Sequence, residues 1–256
     1  MSDTDLPESP LPLPESLLPA ARALFGDRLP LARQYADLLA TDGVLRGLIG
    51  PREAPRIWDR HLLNCAAMTE LIQPDALLVD VGSGAGLPGI VLAVARPDLT
   101  VALVEPLARR TVFLDEMVDR LGLGAQVSVL RGRAEEFVRG PLSGRLSPAD
   151  VVTARAVAPI DRLAAWCLPL SAIGGRLLAI KGASAADEVE EHQDAVGRLG
   201  GGAPLVRRCG VGLLDQPATV VEIVRERAVG GTGRARAASG RGDPPRGRRG
   251  GTARSR

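Results

Sequence analysis

Asp80-Val81-Gly82-Ser83-Gly84-Ala85-Gly86-Leu87-Pro88-Gly89 is the stretch on which the reading of this chain turns. It follows the short β-rich run 76–81 (ALLVDV) and leads into the apolar helical stretch 88–96. Glycines let a backbone turn tightly and approach a ligand with no Cβ in the way. The helix after the turn offers free N–H groups, and Pro88 suits its first turn because it has no donor to lose. Glu105 ends the next β-rich run, 100–105 (TVALVE), where a carboxylate is placed to accept hydrogen bonds from both hydroxyls of a ribose. Strand, glycine turn, helix and a second strand ending in an acid predict a nucleoside-cofactor site.

Working outward, the alternation continues. Strands are predicted at 126–130, 149–154 and 176–181, with helices at 107–121, 133–139, 159–171 and 184–199. Strands alternating with helices imply an α/β fold, a parallel sheet with right-handed crossovers covered on both faces. Two more strands, 204–209 and 218–225, follow the last helix and are placed to close the edge antiparallel. Upstream, from about 15 to 72, the apolar spacing is helical in three segments. In the third, Ile57, His61, Cys65 and Met68 share one face, while Arg52, Arg56 and Arg60 lie four apart on another.

The ends read differently. Residues 1–19 hold five prolines and four acids and read as a disordered leader. Residues 228–256 carry eight arginines against Asp243, so this tail is +7 while residues 1–227 carry −5. With eight glycines among them the arginines have no apolar face to bury, and disorder is expected. The tail is either a solvated extension or an arm that gains phosphate affinity by displacing counterions. The predicted organisation is leader 1–19, helical region 20–73, cofactor-binding domain 74–227 and tail 228–256.

Composition narrows the chemistry. Three separated cysteines with no C-x-x-C pair support neither a disulfide framework nor a thiolate zinc site, and two histidines exclude a histidine-rich metal centre. Aromatics at 2% disfavour modules that stack RNA bases on aromatic sheets. The longest uncharged run, 81–95, is fifteen residues and glycine-rich, short of the ~18 apolar residues of a membrane span. No basic residue precedes Arg22, as a secretory signal would require. A cytoplasmic protein without metal or membrane partner is expected.

The cofactor is the closer question. Gly84, Gly86 and Gly89 satisfy G-x-G-x-x-G, with Glu105 at the spacing of a dinucleotide site. Gly82, Gly84 and Gly86 equally satisfy the G-x-G-x-G of S-adenosylmethionine enzymes, with Asp80 facing the cofactor's ammonium. A dehydrogenase of this length would need a substrate domain, yet only the tail follows the sheet. The alternative to a methyltransferase is a small NAD(P)-dependent oxidoreductase or a nucleotide-sensing module.

The 80–90 run, together with W-D-R-H-L-L-N-C (58–65), R-A-E-E-F (133–137), A-R-A-V-A-P (154–159) and A-I-K-G (179–182), resembles the bacterial small-subunit ribosomal RNA methyltransferase G family, also called the glucose-inhibited division protein B family, in its actinobacterial form. The segments stand in the family's order and spacing between about 35 and 182. The resemblance implies a Rossmann-like class I S-adenosylmethionine-dependent fold with a seven-stranded, mostly parallel sheet and an N-terminal helical extension. It implies methyl transfer to N7 of a guanine in 16S rRNA, with free rRNA or the small ribosomal subunit as partner. By the same resemblance Gly82 and Leu87 belong to the cofactor loop, Ala134 and Glu135 flank the adenine, and Arg155 lines the cofactor pocket. Lys181 and Gly182 match the end of strand five, next to the RNA face. Asn64 and Cys65 depart from the Asp-Ser usual in the family. Arg60, His61 and Lys181 are the candidates for catalytic contacts, Arg60 as an RNA contact in preference to His61 as a base.

N7 chemistry fits a chain poor in histidine. Neutral guanine carries a lone pair at N7, so attack on a sulfonium methyl needs alignment and no base. Carbon methylation of cytosine would ask for a cysteine at the end of strand four or five, and none of the three lies there. Methylation of an exocyclic amine usually goes with N/D-P-P-Y/F after strand four, where this chain has Ala154-Arg155-Ala156-Val157-Ala158-Pro159.

Overall fold

The computed structural model describes residues 10–155 and 158–229. Seven strands, β1 (Leu77–Val81), β2 (Thr100–Glu105), β3 (Val127–Arg131), β4 (Ala149–Arg155), β5 (Ser171–Lys181), β6 (Leu205–Cys209) and β7 (Ala218–Val224), form one sheet in the order β3-β2-β1-β4-β5-β7-β6. The first five pair in parallel. The edge prediction needs refinement. β7 inserts antiparallel beside β5, and β6 lies outside it, antiparallel to β7 and so aligned with the parallel strands.

The helices are α1 (Leu18–Phe25), α2 (Leu29–Leu38), α3 (Asn64–Ala66), α4 (Gly89–Ala95), α5 (Ala108–Arg120), α6 (Ala134–Arg139), α7 (Ile160–Cys167) and α8 (Ala185–Arg198). Side-chain alternation along the strands splits the core into two layers. Leu78, Leu103, Val151 and Leu178 face α4, α5 and the N-terminal helices. Val79, Val104, Val152 and Leu177 face α6, α7 and α8. The N-terminal region therefore belongs to one of the two covering layers.

Three expectations are corrected. The leader was predicted to run to 19, but its described part is packed: Leu11, Leu13, Leu17 and Leu18 lie against the core, and Trp58 Nε1 donates to the Leu11 carbonyl at 3.4 Å. Residues 1–9, and the tail from 230 onward, lie outside the described residues. The third N-terminal segment is not one regular helix. A 3₁₀ turn (Ala54–Arg56) with Pro55 in its first turn leads into a π-helical stretch (Ile57–Leu63), α3 and a second 3₁₀ turn (Ala67–Leu71). Ile57, His61, Cys65 and Met68, expected on one face, are all buried, whereas Arg52 sits in the turn before the helical part. Finally, the helix predicted to reach 171 stops at Cys167, where Pro169 has no N–H to continue it. β5 then begins at Ser171, with a register shift against β4 between Ala149 and Val151. Gly175 permits this, since a Cβ there would lie 2.7 Å from the Ala149 carbonyl oxygen.

Candidate functional site

The glycine turn leaves β1 at the C-terminal edge of the parallel strands, the edge at which open α/β sheets bind ligands. Gly82, Gly84 and Gly86 have φ of +70°, +57° and +88°, conformations that side chains rarely adopt. Gly82 N–H donates to the Val104 carbonyl at 2.8 Å, tying the turn to β2. At the end of β2, Glu105 is buried, and its carboxylate accepts from Gly84 N–H and Leu107 N–H, each at 3.0 Å. Arg110 Nη1, from α5, lies 3.7 Å from the same carboxylate. An acid thus sits against the turn, where a ribose acceptor was expected.

Asp80 behaves differently from its prediction. Its carboxylate is fully buried under the turn, accepting from Thr153 Oγ1 at 2.8 Å and Gly89 N–H at 3.2 Å. Burial pushes its pKa up to about 6, against the pull of those hydrogen bonds. It braces the start of α4 against β4 and does not face an open ammonium site. The N–H groups expected to be free at that helix start are engaged too, since Ile90 N–H donates to Gly86 O at 2.8 Å.

Two contributors went unpredicted. Tyr35 of α2, the only tyrosine of the chain, is buried and donates to the Ala85 carbonyl at 2.5 Å, holding the turn from the N-terminal side. Thr153 of β4 anchors Asp80. Neither carries a spacing signal; a lone tyrosine on an apolar helical face was the sole cue. Leu87 is half-buried and packs on the core below the turn. Ala134 is buried and Glu135 exposed in the first turn of α6. The loop before them is tied to the end of β2, where Gly132 N–H, one residue beyond β3, donates to the Glu105 backbone carbonyl at 3.2 Å.

Arg155 leaves β4 one residue past the Val81–Ala154 pair, level with Gly82. Its guanidinium turns to the N-terminal segment, donating to Cys65 Sγ at 3.3 Å, Arg60 O at 3.2 Å and His61 Nδ1 at 2.6 Å. The last contact fixes the imidazole: Nδ1 accepts, so Nε2 carries the proton, 3.4 Å from the Glu53 carboxylate. Burial, then the Arg155 charge, lowers the His61 pKa to about 4. Its free lone pair is consumed, which removes it as a ready base. Lys181 is almost covered, donating to Ala158 O at 3.0 Å with its ammonium 2.6 Å from Glu188 of α8. Arg60 is half-exposed and pairs with Glu53 at 3.2 Å. Arg60, Arg155 and Lys181 come together on a cleft of about 930 Å³; the glycine turn is next to it and does not line it. Among the described residues no cluster of three or more His, Cys, Asp and Glu is placed to hold a metal, and no helix is long and apolar enough to cross a membrane.

Comparison with known proteins bears on the fold and the family. Two solved structures share the fold at low identity. A putative O-methyltransferase from Nostoc punctiforme is 13% identical, covering 78% of this chain and 72% of its own, with TM-score 0.51. A putative S-adenosyl-L-methionine-dependent methyltransferase from Methanococcus maripaludis is 12% identical over 73% of this chain and 91% of its own, also at 0.51. Among curated sequences, ribosomal RNA small subunit methyltransferase G of Salinispora arenicola is 68% identical over 216 residues, 84% of this chain and 89% of that protein. The protein of the same name from Corynebacterium efficiens is 52% identical over 221 residues, 86% and 93% of the two chains. The family described as rRNA small subunit methyltransferase G matches residues 28–210, from the end of the first helical segment to the outer sheet edge. With its glycine turn, β2 acid and α2 all inside that span, the chain belongs to the rRNA small subunit methyltransferase G family.

Proposed function

We propose that this chain transfers a methyl group from S-adenosylmethionine to N7 of a guanine in 16S rRNA, acting in the cytoplasm on rRNA or the small ribosomal subunit. The observation that carries the reading is the pairing of Glu105 with Gly84 N–H at the mouth of the glycine turn, in a chain of this family. The residues fit the cofactor. A carboxylate suits the ribose diol, and Gly84, at φ +57°, presents its backbone with no Cβ between it and a ligand. Gly82, Gly84, Glu105 and Leu87 would hold the nucleoside and amino-acid parts, with Ala134 and Glu135 beside the base. When bound, S-adenosylmethionine supplies an electrophilic methyl on a sulfonium.

The chain's own residues need to do little acid–base work. N7 of neutral guanine has its lone pair available, and a His61 whose Nδ1 is taken by Arg155 is compatible with that. What they provide is placement: Asp80, Thr153 and Tyr35 keep the turn rigid from below. Arg155 and Lys181 edge the neighbouring cleft, held by His61 and Glu188. Fixing two reactants in line replaces much of the entropy a bimolecular collision would lose. The oxidoreductase alternative receives no support from the family.

The test is mass mapping of 16S rRNA from a strain lacking the gene, alongside calorimetry of the purified chain. A 7-methylguanosine that vanishes and returns on complementation, with S-adenosylhomocysteine binding and no NAD(P) binding, is expected. An unchanged modification map overturns the reading.

A further inference from the structure

We propose that the cleft between the sheet edge and the N-terminal segment takes the target nucleotide, its base removed from the RNA stack, and that residues 14–19 form the outer wall of that site. The inference rests on the methyltransferase reading above and assigns the second half of the same active centre.

The floor of the cleft is the C-terminal edge of the sheet, at Arg155, Ile180 and Lys181. Strand register places Arg155 opposite Ile180, and Ala154 opposite Val81, so this floor is level with Gly82 and borders the turn assigned to the cofactor. Arg56, Arg60 and Asn64 of the N-terminal segment and Leu214, Asp215 and Gln216 of the β6–β7 connection also line the cleft. Pro14, Ser16 and Pro19 complete the enclosure. That last group is a fixed part of the fold. Just before it, Leu11 N–H donates to Asp37 Oδ1 at 3.2 Å and Leu11 O accepts from Trp58, while Leu13 and Leu17 pack on the core.

Size and charge identify the occupant. About 930 Å³ lies within the ~300–1,000 Å³ of sites for single small molecules. The cations around it already have partners from the chain: Arg56 with Asp59 at 2.7 Å, Arg60 with Glu53 at 3.2 Å, Lys181 with Glu188 at 2.6 Å. Asp59, Glu188 and Asp215 line the cleft as well. A cavity so neutralised exerts little pull on a run of phosphates. It offers interleaved donors and acceptors between apolar prolines, the surroundings in which an extruded base is read by its edge and held by its faces. A purine carrying both donors and an acceptor matches it better than sugar-phosphate backbone does.

The experiment narrows the cleft from two sides. Ser16→Trp and Gln216→Trp place an indole at exposed lining positions, away from the glycine turn. Arg22→Trp, exposed on α1 and outside the cleft, is the control. Small ribosomal subunits from a strain lacking the gene serve as substrate, and melting curves check folding. Both cleft variants should lose kcat on the order of 10²-fold, since displacement of the reacting group by an ångström has that effect. S-adenosylhomocysteine affinity and subunit affinity should stay near those of the unaltered chain, and the control should match it throughout. Full kcat in both folded cleft variants overturns the proposal. Loss in Gln216→Trp with full kcat in Ser16→Trp overturns the wall. Reduced subunit affinity with kcat intact at saturation overturns the base pocket in favour of a backbone track. Failure of the unaltered chain to methylate any subunit overturns the functional reading itself, before a variant is made.

Discussion

Alanine at 84 and alanine at 86 should separate ligand binding from folding. Both glycines hold positive φ, +57° and +88°. A left-handed backbone costs a residue with a Cβ ~1–2 kcal/mol. At 84 that is nearly the whole effect on stability, because the new methyl would lie 3.7 Å from Gly82 O and 4.0 Å from Arg110 Nη1, ordinary contacts. At 86 it would lie 2.5 Å from Ile90 Cδ1 and 2.7 Å from Tyr35 Oη. Both neighbours are buried and have nowhere to swing. Overpacking adds ~1–3 kcal/mol. Pushing the Tyr35 hydroxyl off the Ala85 carbonyl strands buried polar groups at ~1–3 kcal/mol. Gly86→Ala therefore costs roughly 3–8 kcal/mol, comparable with the ~5–15 kcal/mol that holds a domain together. At ~2–4 °C per kcal/mol for a chain of this size, Gly84→Ala should melt roughly 2–8 °C low, and Gly86→Ala far lower or not fold. Calorimetry should then find Gly84→Ala folded but weakened for S-adenosylhomocysteine by about tenfold or more, ~1.4 kcal/mol. Full affinity in Gly84→Ala would refute the cradle. Equal melting of the two variants would refute the packing account of Gly86.

Glu105→Ala removes a charged acceptor for two ribose hydroxyls, at ~1.5–3 kcal/mol each, and should weaken S-adenosylhomocysteine roughly 10²- to 10⁴-fold; unchanged affinity by calorimetry would place the ribose elsewhere. His61 titrates at about 4 in the folded chain, below the ~6.5 of a free imidazole, so its contribution is whole above that value and lost as pH falls towards 4. The stability difference between the unaltered chain and His61→Gln, from urea unfolding, should therefore shrink by roughly 3 kcal/mol between pH 7 and pH 4, and a constant difference would count against the buried neutral imidazole. Deleting 230–256, a cut placed after Val229 because its side chain lies beside Gly200, should weaken RNA binding and flatten its salt dependence by ~0.7–0.9 in log–log slope per lost phosphate contact. The rate at saturating RNA should survive that deletion, and its loss would make the arm part of recognition.

Much of the fold was readable because period-2 and period-3.6 patterns alternate cleanly from 76 onward. Strand ends such as Glu105 and Lys181 fell where β-rich runs stop. The N-terminal part was less legible for a physical reason. Ile57, His61, Cys65 and Met68 at near-four spacing look α-helical, but a π-helical stretch keeps residues four apart on nearly the same face. Prolines misled at the front end: Pro12 and Pro14 read as a floppy leader, yet the leucines between and after them pack on the core. Ion pairs such as Lys181–Glu188 join residues on different elements and leave no trace in spacing.

The glycine motif itself shows why a match to a spacing rule is only half a derivation. Asp80 alternates with Val79 and Val81 along β1, so it shares the face of Leu78, the one covered by α4 and the N-terminal helices. That face alone directs its carboxylate beneath the turn instead of into the ligand space. Gly89 then matters for packing, because a Cβ would stand 2.4 Å from Leu103 Cδ2 and 2.8 Å from Asp80 Oδ2. Without one, α4 drops close enough for its N–H to meet the acid. Gly86 makes room for Tyr35 in the same way. Two glycines of the motif thus shape the turn's open side, and two let it be clamped from below. One of the clamps comes from α2, and the segment before α1 closes the neighbouring cleft. The N-terminal helices thus pack as one unit with the glycine turn, and a domain cut at residue 74 would lack the tyrosine that holds that turn.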